Sequence, residues 1–310
     1  MNNQNYQFLQ ATGKVAYNMT NDYMFRVVLQ KNEEALRGLV ASVMHMHISE
    51  VESVTIENPI KLGESMSDKE YRLDLYVVLN DKKSVNLEMQ VKNYLDWANR
   101  SLAYLCRSYD NLTHGGLYSD ITPVYHISFL DFTLFEDHPE FFATYQMRNA
   151  KDNYLYNSNF TLHVVELNHT ELATDDDKAY GIDTWARLFK AKTWEEIKMI
   201  AKNNPSINST AESIYLSNAD RFIRKQCRDR EDFYREQEAI AKEMAELKRS
   251  NEEKDSEIAK KNSALAEKDS TIAEKDSALA EKDSTIAEKD SALAEKDEII
   301  RKYIEKYGEL

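Results

Sequence analysis

The chain reads as an α/β protein with a sheet in its first half and helices in its second, and three patterns carry that reading. The segments RLDLYVVL and VNLEMQVK alternate apolar and polar residues with period two across a short polar connection. Around them, apolar residues recur at helical spacing. From about residue 232 the text becomes a heptad-phased run with no proline and almost no glycine.

Residues 1–20 begin MNNQNYQFLQ, too polar a start to bury, and are expected to form a flexible arm. Asn21 is placed to cap a helix over 22–45, in which Phe25, Val28, Leu29, Leu36, Leu39, Val40 and Val43 share one face and should be buried. Asp22 then falls in the first turn, favourable at the positive end of the helix dipole. His45 and His47 stand at the end of that helix with no third ligand close in sequence, and read as structural.

In the hairpin, Leu73, Leu75, Val77 and Leu79 oppose Arg72, Asp74 and Tyr76, while Leu87, Met89 and Val91 oppose Glu88, Gln90 and Lys92. For the polar faces to coincide, Asp74 must lie opposite an even-numbered residue. The connection through Asn80, Asp81 and Lys82 must therefore hold an odd number of residues, and Asn and Asp tolerate the left-handed backbone it needs. Two carboxylates, an amide and a lysine would then converge, donors suited to a hard divalent cation and to aiming water at phosphate. The same alternation also fits solvated residues on the open face of an antiparallel sheet.

A helix over about 95–112 should pack through Ala98, Leu102, Leu105, Tyr109 and Leu112. Its opposite stripe, Arg100, Tyr104, Arg107 and Asn111, binds phosphate if it borders a site and is a solvated face otherwise. A strand near 160–166 should close the sheet. A helical subdomain then spans 173–231, with WARLFKAK, TWEEIKMIAK and STAESIYLSNADRFIRKQ as its helices. Thr193 and Ser209 are its expected caps and Asn203-Asn204-Pro205 its break.

The last segment, 232–310, is expected as one long helix. EKDSTIA alternates with EKDSALA, so Ile258, Leu265, Ile272, Leu279, Ile286, Leu293 and Ile300 recur every seven residues, with Ile240, Met244 and Leu247 in phase upstream. The d positions hold Lys261, Lys268, Lys275, Lys282 and Lys289 where a tight dimer wants leucine. The segment is thus either a marginal parallel coiled coil, giving a homodimer, or a solvated helix strengthened by Glu–Lys pairs three or four apart.

Net charge is −14 and the pI about 5.1, which excludes broad electrostatic binding to nucleic acid and leaves only a local basic footprint. The two cysteines, Cys106 and Cys227, lie in separate expected helices. With no apolar leader and no span of twenty apolar residues, they point to a reducing cytoplasm without membrane insertion.

Between 21 and about 135 several segments recur in a telling order: NDYMF, RLDLYV, NLEMQ, Arg100 and Tyr104 within NRSLAYL, and GGLYSDITPVYHISFLDF. In these the chain resembles the recombination-promoting nucleases known as PD-(D/E)XK nuclease family transposases. The resemblance implies a restriction-endonuclease-like core, αβββαβ, a mixed sheet flanked by helices over 21–172, that hydrolyses phosphodiester bonds of double-stranded DNA with Mg²⁺, or Mn²⁺ in its place. It makes Asp74 and Glu88 the metal ligands. Gln90 stands where the wider superfamily has lysine and would position the attacking water, although an amide lacks lysine's charge and titratable amine. Lys92, roughly 6–7 Å further along the strand, is a secondary source of charge. Asp22 enters as a third acid, and Arg100, Tyr104 and Arg107 as nucleic-acid contacts. DNA binding would run through Arg100, Arg107, Lys92, Lys61 and the metal, and would be steeply salt-dependent. The competing class is a non-catalytic DNA-binding or coiled-coil scaffold protein derived from a mobile element, against which the presence of Asp74, Glu88 and Gln90 together argues.

Overall fold

A computed structural model describes residues 3–58, 75–80, 82–93, 96–110 and 117–308, and the chain divides into two units, 1–235 and 236–310. The first unit opens with helix α1 (Asn3–Gln10), then α2 (Asp22–Lys31), α3 (Glu33–Val43) and strands β1 (Val54–Ile56), β2 (Leu75–Leu79) and β3 (Lys83–Gln90). Helix α4 (Trp97–Tyr109) leads to β4 (Val124–Leu130), β5 (Phe142–Gln146) and β6 (Phe160–Glu166). Helices α5 (Asp175–Ala179), α6 (Ile182–Lys190), α7 (Trp194–Ala201), α8 (Pro205–Ala219) and α9 (Arg221–Tyr307) follow.

The strands form one mixed sheet in the order β1-β2-β3-β4-β6-β5. β1, β2 and β3 run antiparallel in sequence, and β3 pairs parallel with β4, to which α4 connects it. β4 is parallel to β6, and β5 lies antiparallel outside β6 as an edge. The strand expected to close the sheet is therefore penultimate. The edge strand FATYQ is short and half exposed, with too little alternation to announce itself.

The hairpin register is the expected one. β2 and β3 are joined by three residues, 80–82, pair Leu75 with Leu87 and Leu79 with Lys83, and place Asn80 at φ +51°. The Asn80 side chain locks the turn, accepting from the Glu52 N–H at 2.8 Å and donating to the Glu50 carbonyl at 2.8 Å. Asp81, Asp74, Lys61, Arg72 and Leu73 lie outside the described residues.

One face of the sheet carries the main core. Leu75, Val77, Leu79, Val85, Leu87, Met89, Ile127, Phe129 and Val165 are buried there against the expected stripe of Phe25, Val28, Leu29, Leu36, Leu39, Val40 and Val43. Phe25, Phe129 and Phe189 meet pairwise with ring centroids 5.2–5.7 Å apart, joining α2, β4 and α6. The stripe belongs to two helices, not to one over 22–45. Asn32 leaves the helical region at φ −130°, and its Oδ1 caps α3 by accepting from the Ala35 N–H at 2.9 Å. Its Nδ2 donates to Ser209 Oγ and Ser213 Oγ of α8. Ser209 is thus a partner inside a helix rather than a cap. Asn204 caps α8 instead, accepting from the Ile207 N–H at 3.1 Å ahead of Pro205. Thr193 caps α7 as expected, in a capping box with Glu196.

The segment expected as an arm over 1–20 packs in part. Phe8 is buried against Trp194 and Tyr215, and Asn218 of α8 holds the Tyr17 backbone through both its N–H and its carbonyl. Helix α9 begins at Arg221 rather than near 232, its first N–H groups capped by Asp220 Oδ1. In the second unit its seven heptad apolar residues, Ile258 to Ile300, are 53–62% exposed. Among the described residues no helix is long and apolar enough to cross a membrane, and Cys106 and Cys227 are free thiols.

Five rings follow one another from the ends of α5 and α3 across β5, β6 and β4: Tyr180 stacks on His45 at 4.8 Å, His45 meets Phe142 tilted at 5.2 Å, Phe142 stacks on His163 at 5.4 Å, and His163 stacks on Tyr125 at 6.1 Å. His45 is thereby structural, as expected. Burial, reinforced by the nearby His45, pushes the His163 pKa down to about 4. Stability tied to neutral His163 is complete above pH 6.5 and is lost as pH falls from there toward 4, by roughly 3 kcal/mol at the acid end. Replacing His163 with Phe should flatten that part of the stability profile, read from urea unfolding midpoints across the range. An unchanged profile would contradict the assignment.

Helix α3 passes α8 at Gly38, where a Cβ would meet Ser206 Cβ at 2.4 Å and Trp185 Cζ2 at 3.2 Å. Gly38→Ala should destabilise by roughly 1–3 kcal/mol through overpacking. Adding Ser206→Gly should recover much of that loss in the same urea titration, whereas strictly additive penalties would show that the contact is not responsible.

Candidate active site

The second face of the sheet is polar at its centre. In β3, Asn86, Glu88 and Gln90 alternate with Val85, Leu87 and Met89, and all six are buried. The parallel register sets Asn86 beside His126 and Glu88 beside Ser128 of β4, so these side chains share the face. They are not solvated, because α4 lies over this face, and Glu88 retains only 4% exposure. Sheet strands covered on both sides are buried along their length.

A buried carboxylate needs compensating charge and hydrogen bonds. Glu88 Oε1 takes the Arg100 guanidinium at 3.1 Å, and Glu88 Oε2 lies 3.3 Å from His126 Nε2. Arg100 also donates to Gln90 Oε1 at 2.6 Å, and Gln90 Nε2 donates to the Lys92 carbonyl at 2.8 Å. Asn86 Nδ2 lies 2.9 Å from His126 Nδ1. An amide nitrogen only donates, so this contact leaves the neutral imidazole's hydrogen on Nε2, facing Glu88. The Tyr104 ring lies 6.3 Å from His126, with the Arg107 guanidinium 6.0 Å from the tyrosine centroid.

Helix α4 is turned relative to the sequence expectation. Ala98 and Leu102 are exposed, Leu105 is buried as expected, and the inward side is Trp97, Arg100, Ser101, Tyr104 and Leu105. The surface beneath is polar, so the helix presents its arginine and tyrosine there. Ser101, fully buried, allows the close approach. Leu112 and Asn111 lie outside the described residues.

Several atoms on this face are buried without a hydrogen-bond partner among the described residues: Glu88 Oε2, His126 Nε2, Ser128 Oγ and Arg100 Nε. The oxygen donors among them match what a hard divalent cation prefers. However, no three His, Cys, Asp or Glu side chains converge on a metal position among the described residues, so such a site needs further oxygens. Asp74, the other expected ligand, lies outside those residues.

The remaining expected residues separate. β3 ends at Gln90, so the alternation that would carry Lys92 to the same face lapses before it, and Lys92 is exposed. Asp22 is 4% exposed and accepts from Arg230 Nε at 3.0 and 3.1 Å, from Arg230 Nη2, and from Tyr234 Oη at 2.5 Å. Burial pulls the Arg230 pKa down, but Asp22 and Tyr234 outweigh it and leave it raised. A further buried acid, Glu166, shares the row of Gln90 and Leu130. Burial pushes its pKa up even though it accepts from the Leu134 N–H.

His126, Asn86 and Ser128 were not singled out from sequence. Their signal was present in VYHISFL, where a histidine and a serine interrupt a strand otherwise apolar enough to be buried on both faces. Residues 19–245 match the family model described as PD-(D/E)XK nuclease family transposase. No curated protein and no solved structure matches the chain.

Removing the Asp22 charge would leave Arg230 buried without its carboxylate. Asp22→Asn should cost about 3–5 kcal/mol in urea unfolding, and a double variant adding Arg230→Met should cost much less. Equal losses in the single and double variants would show that the pair is not coupled.

Proposed function

Since residues 19–245 place the chain in the PD-(D/E)XK nuclease family transposases, to which it belongs, we propose that it is a divalent-metal-dependent DNA endonuclease of a mobile element or recombination system. The observation that carries this reading is Glu88: a carboxylate buried at the centre of the sheet, with no hydrogen bond to its Oε2 among the described residues, beside a half-buried arginine and a buried histidine. The order α2–α3, β1, β2, β3, α4, β4 supports an αβββαβ nuclease core. Asp74 directly precedes Leu75, and a ladder continued one pair beyond Leu75 and Leu87 would set it opposite Glu88.

Asp74 and Glu88 would hold Mg²⁺ or Mn²⁺, which when bound polarises a phosphodiester and lowers the pKa of a bound water. The chain's own residues orient the substrate. Gln90 fixes the Arg100 guanidinium beside Glu88, so its charge stands next to the carboxylate and near an incoming phosphate. His126, with Nδ1 taken by Asn86, keeps its proton at Nε2 toward Glu88. Arg107 and Tyr104 at the edge of α4 add a charge and a ring for the DNA backbone. In the second unit, the exposed apolar stripe of α9 would pair two copies in parallel, so that two sites act on the two strands of a duplex.

One observation favours the scaffold reading: Arg100 and Gln90 already satisfy one Glu88 oxygen and one another without a metal. The test is nicking of supercoiled plasmid at low salt with Mg²⁺ or Mn²⁺. Asp74→Ala and Glu88→Gln should each reduce nicking by on the order of 100-fold or more, and both should abolish Mn²⁺ binding in calorimetry. Equal nicking by wild type and variants, or none by a folded wild type, would overturn the nuclease reading.

A further inference from the structure

A groove of about 870 Å³ lies at the base of α9 within the first unit, lined by Tyr17, Arg221, Phe222, Arg224, Lys225 and Arg228. Among the described residues no carboxylate lines it. Arg221, Arg224 and Arg228 occur at i, i+3 and i+7, one face of the helix, over about 10 Å of its length. Lys225 is paired with Asp229 at 2.7 Å, but among the described residues no ion pair holds any of the three arginines. Farther along α9 cations are matched four residues away, as in Lys242–Glu238, Lys261–Glu257 and Lys302–Glu298. Like charges at this spacing repel one another, and a chain of net charge −14 leaves three arginines uncompensated here.

The groove does not stop at α9. Tyr17 also lines an adjoining groove of about 380 Å³ with Lys14, Lys192, Tyr234 and Val91. Its carboxylate is Glu231, whose pKa burial pushes up. The two grooves meet at Tyr17, and Val91 is the residue after Gln90, so a track that carries Arg221, Arg224, Arg228, Lys14 and Lys192, with Glu231 among them, runs from the start of α9 to the end of the strand that carries Glu88.

We propose that this track binds the phosphate backbone of duplex DNA, with Arg221, Arg224 and Arg228 as its anchor, feeding the duplex toward the end of β3. The inference rests on the nuclease reading for its ligand and extends it to how an acidic chain holds DNA. Three guanidinium groups over about 10 Å face roughly three phosphates of one strand, each 3.4 Å of helix axis from the next. Tyr17 and Phe222 add aromatic rings to the lining of the groove.

The full chain, in EDTA so that cleavage does not intervene, is titrated with a short labelled DNA duplex by fluorescence anisotropy over a range of salt concentrations. Arg221→Gln/Arg224→Gln/Arg228→Gln should weaken binding about tenfold or more and reduce the log–log salt slope by about 3. The corresponding triple lysine variant should keep most of the slope. A charge-matched change in the second unit, Lys242→Gln/Arg249→Gln/Lys260→Gln, should alter neither quantity. An unchanged slope in the arginine variant, an equal loss in the charge-matched one, or no binding by wild type would each overturn the proposal. Should the triple variant lose its circular dichroism, Arg224→Gln alone should lower the slope by about 1, and no change there would overturn the proposal. Wild type that binds through the arginines yet does not nick plasmid keeps this inference and removes the nuclease reading. Nicking with a slope insensitive to the arginines does the reverse.

Discussion

A carboxylate held between a sheet and a helix cannot be left alone, and the burial of Glu88 organises the elements around it. It requires a cation from above, which the α4 helix packed on β4 and β6 supplies by turning Arg100 toward β3. It requires a partner from the side, which the parallel register supplies as His126, itself oriented by Asn86. Gln90 completes the arrangement by holding the other edge of Arg100. Loss of any one of these leaves another buried polar group without a counterpart, which is more damaging than never having had the pair.

The two faces of the sheet divide the work. One is apolar and carries the main core beneath α2, α3 and α6, with the Phe25, Phe129 and Phe189 rings joining the layers. The other carries the polar constellation, which is therefore built on strands whose positions are already fixed by packing on their far side. Asp22 and Arg230 do similar work at the edge, tying the first turn of α2 to α9 through a buried ion pair. A residue that resemblance suggested as a third acid thus has a structural partner sufficient to account for its burial.

Much of this was legible in the residues. Alternation in RLDLYVVL and VNLEMQVK gave the hairpin, and the parity argument called for an odd-numbered connection with Asn or Asp in the left-handed region, which residues 80–82 meet with Asn80 at positive φ. Strand period is short and strict, so register is written locally. The parts that misled depend on distant partners. Asn32 breaks a helix whose apolar stripe runs through it unbroken, because its side chain finds α8, almost two hundred residues along the chain. The inward face of α4 could not be read from apolar spacing, since the surface it covers is polar. Ser209 and Asn204 both look like caps, and only the proline after Asn204 separates them. His126 was hidden because its meaning comes from a neighbouring strand and not from its own segment.

The exposed stripe of α9 carries a consequence for how this protein can vary. Its repeating unit, EKDSTIAEKDSALA, is two heptads long. An ideal α-helix drifts only about 20° per heptad against a strict seven-residue period, so gaining or losing one unit rotates everything downstream by about 40°. Replication slippage in a tandem coding repeat would therefore lengthen or shorten the rod without hiding its isoleucines and leucines, making reach an easily inherited and nearly neutral variable.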